Sequence, residues 1–96
     1  MASTATTSTG DAGDTAVIQC RGSKLIDVSV SGIVSGDVVT AERSPDGGTT
    51  WFNIETYTVD TQRVLQSASF KDHRLKYLTD GGGGTILMTI RAGNGY

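Results

Sequence analysis

The sequence predicts an all-β protein: an antiparallel β-sandwich, small and jelly-roll-like, of about seven strands with an extended N-terminal arm. Three observations predict it. Apolar and polar residues alternate in short runs, and turn residues part the runs at ~8–12-residue spacing. Composition favours β structure, with 13 glycines, one proline and many Thr, Ser and Val among 96 residues. No stretch reads as a convincing helix. A chain of this length makes one domain with a modest core. The division expected is a flexible arm over residues 1–14 and a single sandwich over 15–96.

The arm reads MASTATTSTGDAGD. It is small, polar and nearly devoid of core-forming side chains, so alone it cannot offset its ordering entropy. The first strand runs Thr15 to Cys20, and Arg21-Gly22-Ser23 turns the chain. Lys24 to Ser31 alternates cleanly, with Ile26, Val28 and Val30 on one face and Asp27, Ser29 and Ser31 on the other. Gly32 to Gly36 is a loop or bulge. Asp37 to Arg43 is the third strand, with Val39 and Ala41 opposed to Thr40 and Glu42.

Thr50 to Val59 is the fourth strand. Phe52 and Ile54 share one face, and Trp51, Asn53, Glu55 and Tyr57 share the other. Aromatics on both faces leave one side to the core and the other to an interface. Asp60-Thr61 turns into the fifth strand, Gln62 to Phe70, with Val64, Ala68 and Phe70 in phase. Lys71-Asp72 turns again. His73 to Thr79 is the sixth strand, with Leu75 and Tyr77 in phase. Asp80 and Gly81 to Gly84 form a loose hairpin loop. Thr85 to Ala92 closes the set, with Ile86, Met88 and Ile90 inward.

The totals exclude several functions. Net charge is −2 and the eight Lys and Arg are scattered, so no nucleic-acid surface is expected. No run of ~18 apolar residues is present to span a membrane. The N-terminus lacks the basic-then-apolar order of a signal peptide. Cys20, the single cysteine, cannot close an internal disulfide. It reads as a small buried hydrophobe made in a reducing compartment.

No constellation carries catalysis. His73 has no His-x-His or Cys-His spacing beside it for a metal, and no G-x-S-x-G elbow supplies a nucleophile. It reads as a surface or strand residue. The ten Asp and Glu are spread almost evenly, mostly at turns. Glu42 and Glu55 lie on the two arms of the central hairpin. A glycosidase pair would need them ~5–10 Å apart in a cleft, which a domain this small rarely forms. The glycine run lacks the following Lys-Ser/Thr and helix of a phosphate loop. No EF-hand pattern surrounds Asp46 or Asp80. No catalytic, cofactor or metal residue is therefore assigned. Trp51, Tyr57, Tyr77 and Tyr96 read as core plus oligomer interface rather than as a sugar-stacking platform.

The strongest local signal is Ser44-Pro45-Asp46-Gly47-Gly48-Thr49-Thr50-Trp51. Pro45 pre-sets φ, Asp46 bonds the N–H groups ahead of it, and the glycines supply positive φ. This predicts a hairpin with a loop of three to five residues. Ser44, Asp46, Gly48, Thr50 and Trp51 also fill every position of a pattern that resembles the Asp-box, a hairpin turn of sialidase-like propellers and other β proteins. There the box is structural, so the resemblance implies a rigid turn and no chemistry. One box and 96 residues are too few for a propeller.

Val38 to Ile54 and Leu75 to Ile90, in this order behind a Thr/Ser/Ala arm, resemble small virion proteins of tailed bacteriophages. These include β-sandwich decoration (cement) proteins of the capsid and related head or tail accessory subunits. The resemblance covers residues ~37–92. It implies a non-enzymatic, cofactor-free protein on the virion's capsid surface, synthesised in the host cytoplasm. Its partners would be the major capsid protein and its own copies, often as a homotrimer, with the arm reaching onto a neighbour. The interface candidates are Trp51, Asn53, Glu55 and Tyr57. The alternatives are a glycan-binding module, with Trp51 and Tyr57 beside Asn53 and Glu55, or a head-tail or fibre accessory subunit.

Overall fold

The computed structural model describes residues 3–19, 25–66, 72–82 and 84–93. Within them the strands are β1 (Ser3–Thr9), β2 (Thr15–Gln19), β3 (Leu25–Ser31), β4 (Val38–Ser44), β5 (Phe52–Tyr57), β6 (Thr61–Gln66), β7 (Asp72–Thr79) and β8 (Ile86–Gly93). They form two four-stranded sheets, ordered β1-β8-β3-β6 and β2-β7-β4-β5, with every pairing antiparallel. This is the eight-stranded jelly roll, two Greek keys folded face to face. The expected Cys20, the turn at residues 21–23, Ala68, Phe70 and Tyr96 lie outside the described residues.

The core follows from alternation. Ile26, Val28 and Val30 of β3 and Ile86, Met88, Ile90 and Ala92 of β8 form the inner face of the first sheet. Ala16, Ile18, Val39, Ala41, Leu75 and Tyr77 face them from the second. All are at most 4% exposed. The predicted strands with clean period-two patterns (β3, β4, β7 and β8) stand within one residue of expectation.

Four expectations are corrected. The arm is not loose over Ser3–Thr9: it is an edge strand paired residue for residue with β8, from Ser3↔Ala92 to Thr9↔Ile86. Main-chain pairing supplies what its side chains lack. On β6, Leu65 opposes Ile26 and is buried, while Val64 points outward at 62% exposure. Tyr57 packs inward, whereas Phe52 is exposed at 51%. Tyr57 opposes the core residue Val39, while a bulge, with Ala41 paired to Glu55 and Glu42 to Asn53, leaves Ile54 unpaired and puts Asn53 on the face opposite to Glu55 and Tyr57. Phe52 opposes Arg43 at the turn end of the strand. Finally, the segment after Asp80 is no hairpin loop. It carries the chain from β7 in one sheet to β8 in the other.

Among the described strands, β4–β5 is the one consecutive pair that stays within a sheet; every other connection crosses between sheets. The turn at residues 45–51 is therefore the local hairpin on which the second sheet is built.

Candidate functional site

The hairpin turn is held by two side chains. The Asp46 Oδ1 atom accepts from the Thr50 N–H at 2.8 Å, the Thr49 N–H at 3.1 Å and the Ser44 hydroxyl at 2.8 Å. Ser44, fully buried, accepts in turn from the Gly48 N–H at 2.8 Å. Gly47 and Gly48 take φ of 78° and 101°, the left-handed region that a Cβ disfavours. These donors, the Thr50 N–H foremost and then the Ser44 hydroxyl, hold the Asp46 carboxyl down at about 2. An acid so depressed is an ionised brace at neutral pH and a poor proton donor. Ser44, Asp46, Gly48 and Thr50 thus converge as the motif predicts.

Trp51 closes the motif. Its indole N–H donates to the Gly48 carbonyl at 3.0 Å, and the Arg74 guanidinium carbon lies 4.2 Å from the ring centroid, a cation–π arrangement. Arg74 also pairs with Glu42 at 2.5 Å. Register explains the grouping: Glu42 opposes Arg74 across β4 and β7 and Asn53 across β4 and β5, so all three project from the outer face of the second sheet. Sequence reasoning did not find Arg74. Its one signal was placement opposite Leu75 in the alternation of β7.

The bulge divides the four interface candidates. Trp51 and Asn53 belong to the outer face, where the Asn53 amide donates to the Thr56 hydroxyl at 3.1 Å. Tyr57 is a core residue, 5% exposed, and its hydroxyl donates to Glu55 at 2.8 Å. Glu55 in turn receives Arg63 of β6 through two bonds, at 3.2 and 2.8 Å. Those bonds tie the edge strand of the second sheet to the edge strand of the first. Arg63, then the Tyr57 hydroxyl, lower the Glu55 carboxyl, while burial and this same carboxylate raise the Tyr57 phenol. Glu42 and Glu55 face opposite sides of the sheet, so they form no catalytic pair.

A second brace lies at the sheet-to-sheet connections. Tyr77 is fully buried on the core side of β7, and its hydroxyl donates to the Asp37 Oδ1 atom at 2.6 Å. The Gly81 N–H donates to that same oxygen at 2.6 Å, and the Val34 N–H to Oδ2 at 3.0 Å. The Tyr77 hydroxyl, then the N–H groups of Val34 and Gly81, lower the Asp37 carboxyl; the Tyr77 phenol is raised, with its bond to Asp37 the first cause. Gly81 sits so close to residues 35–37 that a Cβ there would lie 2.6 Å from the Gly36 carbonyl carbon. The loop expected to be loose is pinned. A core-phase tyrosine demands a buried partner for its hydroxyl, which was the signal for Asp37.

His73 is not a surface residue: it lies inside the sandwich at 1% exposure, opposite Ile18 and Arg43. Burial and the Arg43 charge push its imidazole below the ordinary value, favouring the neutral form. Among the described residues no group of three His, Cys, Asp or Glu converges as a metal site, and no helix is long and apolar enough to cross a membrane.

No family model matches the sequence, and no curated protein matches it. Among solved structures the chain is similar to one from Bacillus endospore appendages, a family of disulfide-linked pili. The TM-score is 0.43 and the identity 16%, over 96% of this chain and 86% of that one.

Proposed function

We propose that this chain is a non-enzymatic structural subunit of a phage virion that decorates the capsid and stabilises it by bridging capsid subunits. One observation carries the reading: every residue of its most distinctive motif is consumed by internal bonds, Asp46 by three donors and the Trp51 indole by Gly48 and Arg74. What the surface then offers is rigid shape. Exposed apolar side chains such as Phe52, Val59 and Val64 supply area to bury against neighbours, and many copies multiply weak contacts. Jelly rolls serve in viral capsids and in lectins alike, so the fold leaves the function to the surface. The resemblance over residues ~37–92 favours the capsid.

Co-sedimentation with expanded phage capsids, together with light scattering of the free protein, tests this. Saturable capsid binding and an oligomeric mass are expected. A strict monomer at tens of micromolar that leaves capsids unbound overturns it. Binding on a glycan array that is lost in Trp51→Ala would move the assignment to a glycan-binding module. The engaged indole weighs against that outcome.

A further inference from the structure

We propose that β1 is an exchangeable strand, such that Ser3–Thr9 of one copy takes the place of β1 on the β8 edge of a second copy. This goes beyond the decoration reading, since it states how copies of the chain join whatever surface they coat.

The argument begins with what holds β1. It is an edge strand with β8 as its paired neighbour, and its sequence is STATTST. Alanine and threonine occupy the inward register positions: Ala5 against Ile90, Thr7 against Met88 and Thr9 against Ile86. Ala5 only borders the core. The strand is held by its main-chain pairing with β8, which a strand of identical sequence from another copy would reproduce one for one. It is also held by the Thr7 hydroxyl on the Thr15 carbonyl and the Thr9 hydroxyl on Asp14, of which the Thr9–Asp14 bond belongs to the connection that must open. The slot itself is not weak. Ile86, Met88 and Ile90 are at most 1% exposed with β1 in place, and an empty edge beside them would be a site for strand addition. The favoured states are therefore those in which some copy of β1 fills the slot.

The connection permits the change. Residues 10–14 turn the chain from the first sheet to the second, with Gly13 at φ 101° and its N–H donating to the Tyr77 carbonyl at 2.7 Å. These five residues, drawn out, span about 17 Å, equal to the shortest extent of the molecule, 17 Å. A straightened connection can therefore deliver β1 to an adjoining copy while β2 keeps its pairing with β7. Exchange of an identical element costs little at equilibrium beyond the hinge itself, which makes it a low-cost route to oligomers.

Thr6 and Thr89 provide the test. They oppose one another with hydroxyl oxygens 3.4 Å apart, so cysteines there lie within disulfide reach. Thr6→Cys and Thr89→Cys chains are made separately, mixed at high concentration, equilibrated under reducing conditions and oxidised. The unsubstituted chain, carrying Cys20 alone, serves as control. Exchange predicts a Thr6→Cys/Thr89→Cys heterodimer in clear excess of either homodimer, with the linkage confirmed by peptide mass mapping. A chain carrying both substitutions reads the closed state directly. If it closes internally as a monomer and the mixture gives no excess of heterodimer, the proposal is overturned. An oligomeric mass by light scattering without that heterodimer also overturns it, since copies then join through another surface. Failure of capsid binding leaves this result untouched, so the two readings fail separately.

Discussion

Asp37 and Asp46 each gather three donors onto one carboxylate, but they reach different distances along the chain. Asp46 takes its partners from Ser44, Thr49 and Thr50, all within four residues. Asp37 takes one from Val34, and the others from Tyr77 and Gly81, 40 and 44 residues away. The first shapes a hairpin that the local sequence already favours. The second joins two sheet-to-sheet connections that nothing local brings together. A brace that closes a long loop holds the tertiary arrangement; one that closes a short loop holds a turn.

Breaking the long-range brace should cost most. Asp37→Ala leaves the buried Tyr77 hydroxyl and the Gly81 N–H without an acceptor. It should lower the Tm by roughly 10 °C or more in calorimetry, whereas Asp46→Ala should shift it by a smaller amount. Equal losses would erase the distinction between the two braces.

The two glycine-bearing turns sharpen it next. Gly81→Ala drives a Cβ to 2.6 Å from neighbouring backbone and should cost about 3 kcal/mol by urea denaturation. Gly47→Ala meets nothing within 4 Å but is strained at φ 78°, and should cost about 1 kcal/mol. Gly47→Asn should recover much of its loss, because Asn tolerates that φ; Gly81→Asn should not.

The smallest effect lies in acid. Asp46 titrates at about 2 in the fold against an ordinary 3.8. The unfolded chain therefore takes up this proton first as pH falls. The stabilisation is complete above about pH 5 and is lost as pH descends through the folded value. Asp46→Asn should flatten the decline of the urea midpoint between about pH 5 and 2. An unchanged slope would show that the ionised brace contributes nothing to the fold.

The same contrast explains what could be read from the chain. The residue 44–51 turn was legible because all its partners are close in sequence, and β3, β4, β7 and β8 because their apolar residues alternate. The Asp37–Tyr77–Gly81 brace was not, because its members meet only when β4 pairs with β7, some forty residues further on. Nor was β1: its side chains carry no apolar pattern, and its partner β8 lies some eighty residues on. The phase of β5 was hidden by Ile54, since a bulge is a property of the pairing rather than of the strand. Arg74 over Trp51 needed the register of β4, β5 and β7 together. Val64 and Leu65, adjacent and both apolar, gave no reason to choose between faces.

The Ser3↔Ala92 pairing also fixes how the molecule answers a mechanical load. Because β1 and β8 are antiparallel and these two residues are neighbours, a pull applied between them meets the ladder at one end. It opens the hydrogen bonds in sequence, like a zipper, instead of shearing all of them at once. Tension along this path should therefore release β1 at low force, before the load passes through residues 10–14 to β2 and the second sheet.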